Sequence, residues 1–320
     1  MRLAISNIAW DVSEDASIAN LLKQFKIDAI DIAPGKYFPL PQQASDQEIA
    51  AVKHAWSERG MQITGMQALL FGATALQLFA SDESRAAMRA HLTAICRIGA
   101  GLGAQRLVFG APKNRDRGHL SDQQTLDIAI PFFRQLGNIA AEHQVLICVE
   151  PNPACYGCNF MTHSMETAAL LSEIAHPAIK MQLDTGTITI NGEDIETVLS
   201  QYAGLIGHIH ASEAHLRPLG DTHHPTMPAT ALEGTLNGSC PLRRPVFASQ
   251  KSGSPPTGSP VAELADPSAR IAVDHHQMAQ AIKKYLPQHV VCIEMLATPD
   301  EPHASSIERA LGTALRYYGS

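Results

Sequence analysis

Nowhere does this sequence carry an apolar run of about 18 residues, the length a membrane-spanning helix requires, so no membrane anchor is expected. Dense runs of Lys and Arg are also missing. A net charge of −7 and a pI near 6.1 argue against a surface built to neutralise nucleic-acid phosphates. The opening MRLAISNIAWD lacks the charged, apolar and cleavable succession of a secretory leader, which leaves the cytoplasm as the expected location. The six cysteines are scattered apart from Cys155 and Cys158, and Cys148 and Cys292 fall inside apolar runs. That pattern excludes a disulfide framework and suits free thiols, and a single C-x-x-C is too little for a zinc ribbon and a weak redox signal. The remaining expectation is a protein that acts on a small molecule.

What the sequence does have is alternation. RLAISNIAW, AIDIA, QITGMQALL, AQRLVFG, VLICVE, IKMQLD, LIGHIH and VVCIEML read as strands, with a helix-like run after each. The clearest helix runs from Ser45 to Gly60: Ser45 and Glu48 form a capping box, Ile49, Val52 and Trp56 make one stripe, and Gly60 ends it. Eight near-continuous apolar strands with eight helices between them predict a closed parallel (β/α)8 TIM barrel, one domain over residues 1–320. Residues 222–272, rich in Pro, Gly, Ser and Thr, break the period and read as a low-complexity loop inserted between the seventh strand and the seventh helix. A tolerated insert is favoured over a lid, because closure entropy grows only logarithmically with loop length.

Barrels of this kind place chemistry at the C-terminal ends of the strands. Those ends carry Asn7 and Trp10, Asp31 and Lys36, Gln67, then Lys113, Asn114 and Arg115. Glu150 and Asn152, Asp184, His208, His210 and Glu213, and finally Glu294 follow. Glu150, Asp184, His210 and Glu294 end four successive strands, so a barrel brings them together near its axis. Three carboxylates packed this closely repel one another unless a cation compensates. One imidazole and three carboxylates suit Mn2+, Mg2+ or Co2+ better than a closed structural zinc site.

EPNP at Glu150 to Pro153, QLDTG at Gln182 to Gly186, HIHASE at His208 to Glu213 and IEM at Ile293 to Met295 resemble the sugar phosphate isomerase/epimerase superfamily, the xylose isomerase-like TIM barrels. The likeness spans the chain apart from the insertion. It implies a divalent ion, Mn2+ first and Mg2+, Co2+ or Zn2+ as alternatives, on Glu150, Asp184, His210 and Glu294. It further implies Glu150 and Glu294 as the acid/base pair, and a homodimer. The sequence departs from the epimerase pattern in three places. Thr187 stands where a substrate-binding His is expected, Arg217 lies one residue further along than the expected Arg, and PLGD at Pro218 to Asp221 resumes only at Val273 to His275.

The expected activity is isomerisation or epimerisation of a sugar or sugar phosphate, by proton abstraction beside a carbonyl through an enediolate held by the cation. A dehydratase using the same enolate is the alternative. An endonuclease IV-like hydrolase is less favoured, since it calls for more His ligands and a basic face. His208 reads as a partner orienting a ligand or as a substrate contact, and Glu213 as an anchor for His210 or a sugar hydroxyl. Lys113 and Arg115 read as a phosphate or carboxylate site, and Asn152, Trp10, Gln67 and Arg217 as further substrate contacts. His223, His224, His275 and His276 read as solvated. No nucleic-acid or membrane partner is expected.

Overall fold

A computed structural model describes residues 1–221 and 272–319. Its strands are β1 (Leu3–Ser6), β2 (Ala29–Ile32), β3 (Gln62–Met66), β4 (Arg106–Phe109), β5 (Leu146–Val149), β6 (Ile179–Asp184), β7 (Ile206–Ser212) and β8 (Val291–Glu294). They form one closed parallel barrel in sequence order, shut by β1 pairing with β8 through Leu3 and Val291. The helices are α1 (Asp15–Gln24), α2 (Asp46–Glu58), α3 (Asp82–Leu102), α4 (Asp122–Glu142), α5 (Ser164–Ile174), α6 (Thr185–Ile190), α7 (Ile195–Tyr202), α8 (His275–Tyr285) and α9 (His303–Tyr317).

Local chemistry sets these boundaries. Ser45 Oγ accepts from the Glu48 amide at 3.2 Å and Glu48 Oε2 accepts from the Ser45 amide at 2.7 Å, so α2 starts at the capping box. Ile49 and Trp56 turn into the core, and Gly60 stops the chain at φ +74°. Trp10 joins the same core: it is fully buried, donates to Asp15 Oδ1 at 2.8 Å and packs edge-on against Trp56 at 6.5 Å. Its ring thus packs in the core, and it does not line the cavity described below.

The described residues contain nine helices where eight were expected. The extra one is α6, whose TGTITI, rich in β-branched residues, directly follows the strand expected over IKMQLD. The strand stops because the Asp184 carboxylate accepts from the Thr187 amide at 2.6 Å and caps a new helix. The same contact places Thr187 where the resemblance expects a histidine.

The insertion expected over 222–272 lies between β7 and α8 and, except for Ala272, outside the described residues, as do His223 and His224. No helix among the described residues is long and apolar enough to cross a membrane.

Candidate metal centre

Parallel register delivers the candidate ligands to one place. Asp184 ends β6 directly opposite His210 on β7, and Glu294 ends β8 opposite Ser212. Glu150 follows β5, its amide continuing the ladder to the Phe109 carbonyl at 3.0 Å. Each of Glu150, Asp184, His210 and Glu294 brings a ligand-capable atom within 4.8 Å of the other three. All four are buried, His210 completely. His210 Nδ1 faces the carboxylates, 3.1 Å from Glu294 Oε2 and 3.8 Å from Glu150 Oε1. No Lys or Arg pairs with any of the three carboxylates among the described residues.

The surroundings hold each group in place. Ser212 Oγ donates to Asp184 Oδ2 at 2.7 Å, and Gln67 Nε2 donates to Glu294 Oε1 at 2.5 Å. Asn152 Nδ2 donates to Glu150 Oε2 at 2.9 Å. Gly110 leaves the room that Glu150 occupies, since a Cβ there would meet Glu150 Oε2 at 2.5 Å. Ser212 and Gly110 escaped the sequence reading. Ser212 lies two residues beyond His210 and so on the same strand face, and Gly110 is a lone glycine at a strand end, a mark of close approach.

Crowding of charge governs the acidities. Burial, and then the charges of Glu294 and Asp184, push the Glu150 carboxyl up to about 8. Burial and Glu294 raise Asp184 to about 6. Burial pulls the His210 imidazole down, but Glu294, Glu150 and Asp184 together lift it to about 9. Burial likewise opposes ionisation of Glu294, yet the His210 charge and hydrogen bond and the Gln67 hydrogen bond hold it below the usual carboxylate range. The three carboxyls and one imidazole fit a divalent cation with oxygen and nitrogen ligands, and His210 Nε2 and Gln67 Oε1 are buried with no hydrogen-bond partner among the described residues.

A cavity of about 410 Å³ opens beside this cluster. Glu150, Glu294, Gln67 and Lys36 are its polar side chains, and Ile8, Leu69, Leu70, Phe71, Leu216 and Leu296 form an apolar wall. Of the expected substrate contacts only Gln67 lines it. Arg115 is fully buried and turned inward, onto the Glu150 carbonyl and Asn152 Oδ1. Lys113 lies exposed on the turn Pro112–Arg115 and does not line the cavity. His208 sits deeper in the barrel, its Nε2 2.6 Å from Asp31 Oδ2, and its ring stands edge-on to His210. It does not line the cavity.

Glu213 points away from the cavity. Its carboxylate accepts from the Gly220 amide at 3.0 Å and the Val273 amide at 3.4 Å, and Oε1 lies 2.9 Å from His275 Nε2. It ties together the two chain ends that flank residues 222–271. His275 is therefore buried rather than solvated, with Nδ1 2.8 Å from the Tyr318 hydroxyl; His276 is exposed, as expected. Arg217 Nε donates to the Ala214 carbonyl at 3.2 Å, and the residue does not line the cavity.

A family model described as xylose isomerase-like TIM barrel matches residues 19–234. No curated protein matches the sequence. Among solved structures, D-psicose 3-epimerase with D-tagatose from Clostridium cellulolyticum H10 is similar at a TM-score of 0.69 and 13% identity, over 99% of this chain and 98% of that one. The 3-keto-D-glucoside 4-epimerase YcjR from E. coli gives 0.65 and 14%, over 97% and 98%. The IOLI protein with a binding zinc atom gives 0.64 and 14%, over 99% and 98%. At these identities the likeness is one of fold.

Proposed function

The chain belongs to the xylose isomerase-like TIM barrel family, and from that premise we propose that it is a divalent-metal-dependent sugar isomerase or epimerase with the ion on Glu150, Asp184, His210 and Glu294. One observation carries the reading: these four groups lie within 4.8 Å of one another beside a cavity that Glu150 and Glu294 also line. The IOLI structure, similar in fold, holds a zinc atom, and the two epimerases place sugar chemistry on the same fold. The oxygen-rich donor set favours Mn2+ over zinc.

A divalent cation bound there supplies positive charge against three buried carboxylates and polarises a substrate carbonyl. Asp184, fixed by Thr187 and Ser212, serves only to bind. Glu150 and Glu294 reach the cavity and move protons: one takes the proton from the carbon beside the carbonyl, and the other returns one. Return to the opposite face of that carbon gives an epimer, and return to its neighbour gives an isomer. Without a bound ion their acidities are driven apart, Glu150 up and Glu294 down, so the two carboxyls sit in unlike environments. Gln67 holds Glu294 in place, and the apolar wall keeps water from the enediolate.

The substrate is unphosphorylated in this reading. Lys36 is the one cationic side chain lining the cavity among the described residues, and its ammonium already donates to the carbonyls of Asn7, at 2.7 Å, and Trp10. The test is incubation of the Mn2+-loaded protein with a panel of ketoses in deuterium oxide. Deuterium entering beside the carbonyl, lost in Glu150→Gln and Glu294→Gln, supports the reading. An ultraviolet-absorbing enone replaces it with a dehydratase, and no exchange with any ketose sinks the proton-transfer chemistry.

A further inference from the structure

Arg115 is a fully buried cation whose described partners are all uncharged. Nη2 donates to the Glu150 carbonyl at 2.7 Å and Asn152 Oδ1 at 2.9 Å, with Cys158 Sγ at 3.4 Å, and Nη1 faces Met161 Sδ at 4.0 Å. Burying a charge without a counter-charge is costly, and nothing in the cavity recovers that cost, because Arg115 does not reach it. What the guanidinium does control is one amide. It is a donor only, so of the Asn152 amide it can bond only the oxygen, which accepts from Nη2. The Asn152 NH2 is thereby turned to Glu150, where Nδ2 donates to Oε2 at 2.9 Å. Gly110 leaves the space for that oxygen, and Glu150 Oε1 is left facing His210.

We infer that Arg115 is a positioning residue for Glu150, acting through Asn152: it locks the amide so that a donor meets one Glu150 oxygen and the other is presented to the metal cluster. The inference rests on the metal-binding reading above, and it goes beyond it by assigning work to a residue outside the cavity. Without Arg115 the amide is free to turn its own oxygen toward Glu150, and the carboxylate leaves its place beside Gly110. Partners of this kind, one step removed from a metal, typically change metal affinity by about 10–100-fold when altered.

The experiment is a double-mutant cycle read by Mn2+ titration, with thermal unfolding as the check on folding. Arg115→Met and Asn152→Ala are each expected to raise the Mn2+ Kd about tenfold or more, and the double variant to bind no worse than Asn152→Ala alone. Arg115→Lys, which restores a donor toward Asn152, recovers part of the affinity. Should Arg115→Met not fold, Asn152→Asp serves instead: it keeps an acceptor for Arg115 but faces Glu150 with an oxygen, so Mn2+ binding falls while the melting temperature holds. Equal losses from Arg115→Met in both Asn152 backgrounds, or wild-type affinity in Asn152→Asp, overturn the inference. If wild type takes up no Mn2+, the metal reading fails, and crystal structures of wild type and Asn152→Asp then decide the Arg115 inference. A Glu150 side chain displaced from Gly110 upholds it, and an unmoved one overturns it.

Discussion

His210 Nδ1 lies 3.1 Å from Glu294 Oε2, so in the absence of a cation the imidazole and the carboxylate satisfy each other as a buried ion pair. A metal ion taking both as ligands has to displace a proton from that imidazole, held at about 9, and another from Glu150, held at about 8. Mn2+ affinity should therefore climb at least tenfold between pH 6 and pH 8. Calorimetry in buffers of different ionisation enthalpy should record proton release on binding. An affinity flat across this range would mean that the four groups are not ligands.

The same acidities set the stability of the metal-free protein. Glu150, Asp184 and His210 all have folded values above their ordinary 4.5, 3.8 and 6.5. A raised value contributes stability below the ordinary value and loses it as pH climbs through the folded one. Glu294 is shifted the other way, so its contribution is lost only on acidification below the usual carboxylate range. Chelated protein should thus melt progressively lower from about pH 5 to pH 9. Saturating Mn2+ should restore several degrees at pH 8 and little at pH 5. Melting temperatures that rise over this range without metal would contradict the crowded-carboxylate description.

Gly110→Ala separates folding from function. The added methyl would meet the far end of the Glu150 side chain, which can swing aside at little cost to the barrel. Mn2+ affinity and turnover should fall at least tenfold, with a melting temperature within a few degrees of wild type. Native affinity in this variant would show that Glu150 does not need its present place.

Glu213→Gln tests the opposite assignment. Its carboxylate accepts the Gly220 and Val273 amides and faces His275, so the variant should lose about 1–3 kcal/mol in denaturant titrations. Mn2+ affinity and KM should stay unchanged. A rise in KM without loss of stability would return Glu213 to the substrate.

The barrel and the cluster of three carboxyls and one imidazole were legible because both follow from one-dimensional rules. Apolar strands alternating with helices fix the closed parallel sheet, and strand ends fix which faces meet at the axis, so Glu150, Asp184, His210 and Glu294 converge as their positions imply. Partner choice across the fold was not legible. Trp10 and Arg115 also stand beyond strand ends, yet tertiary contacts draw the first into the core against Trp56 and the second under Glu150. Glu213 and His275 are 62 residues apart, and no local pattern announces their contact. The apolar cavity wall was missed for a related reason: Leu69 and Leu70 read as the end of a strand, which in fact stops at Met66.

The most direct test of metal dependence is elemental analysis by mass spectrometry of the purified wild type beside Asp184→Ala, each loaded with Mn2+ and desalted. About one divalent ion per wild-type chain, lost from Asp184→Ala while the variant stays folded, is the expected result. A wild type that retains no ion after loading, or an Asp184→Ala variant that retains as much as wild type, would contradict the four-residue centre.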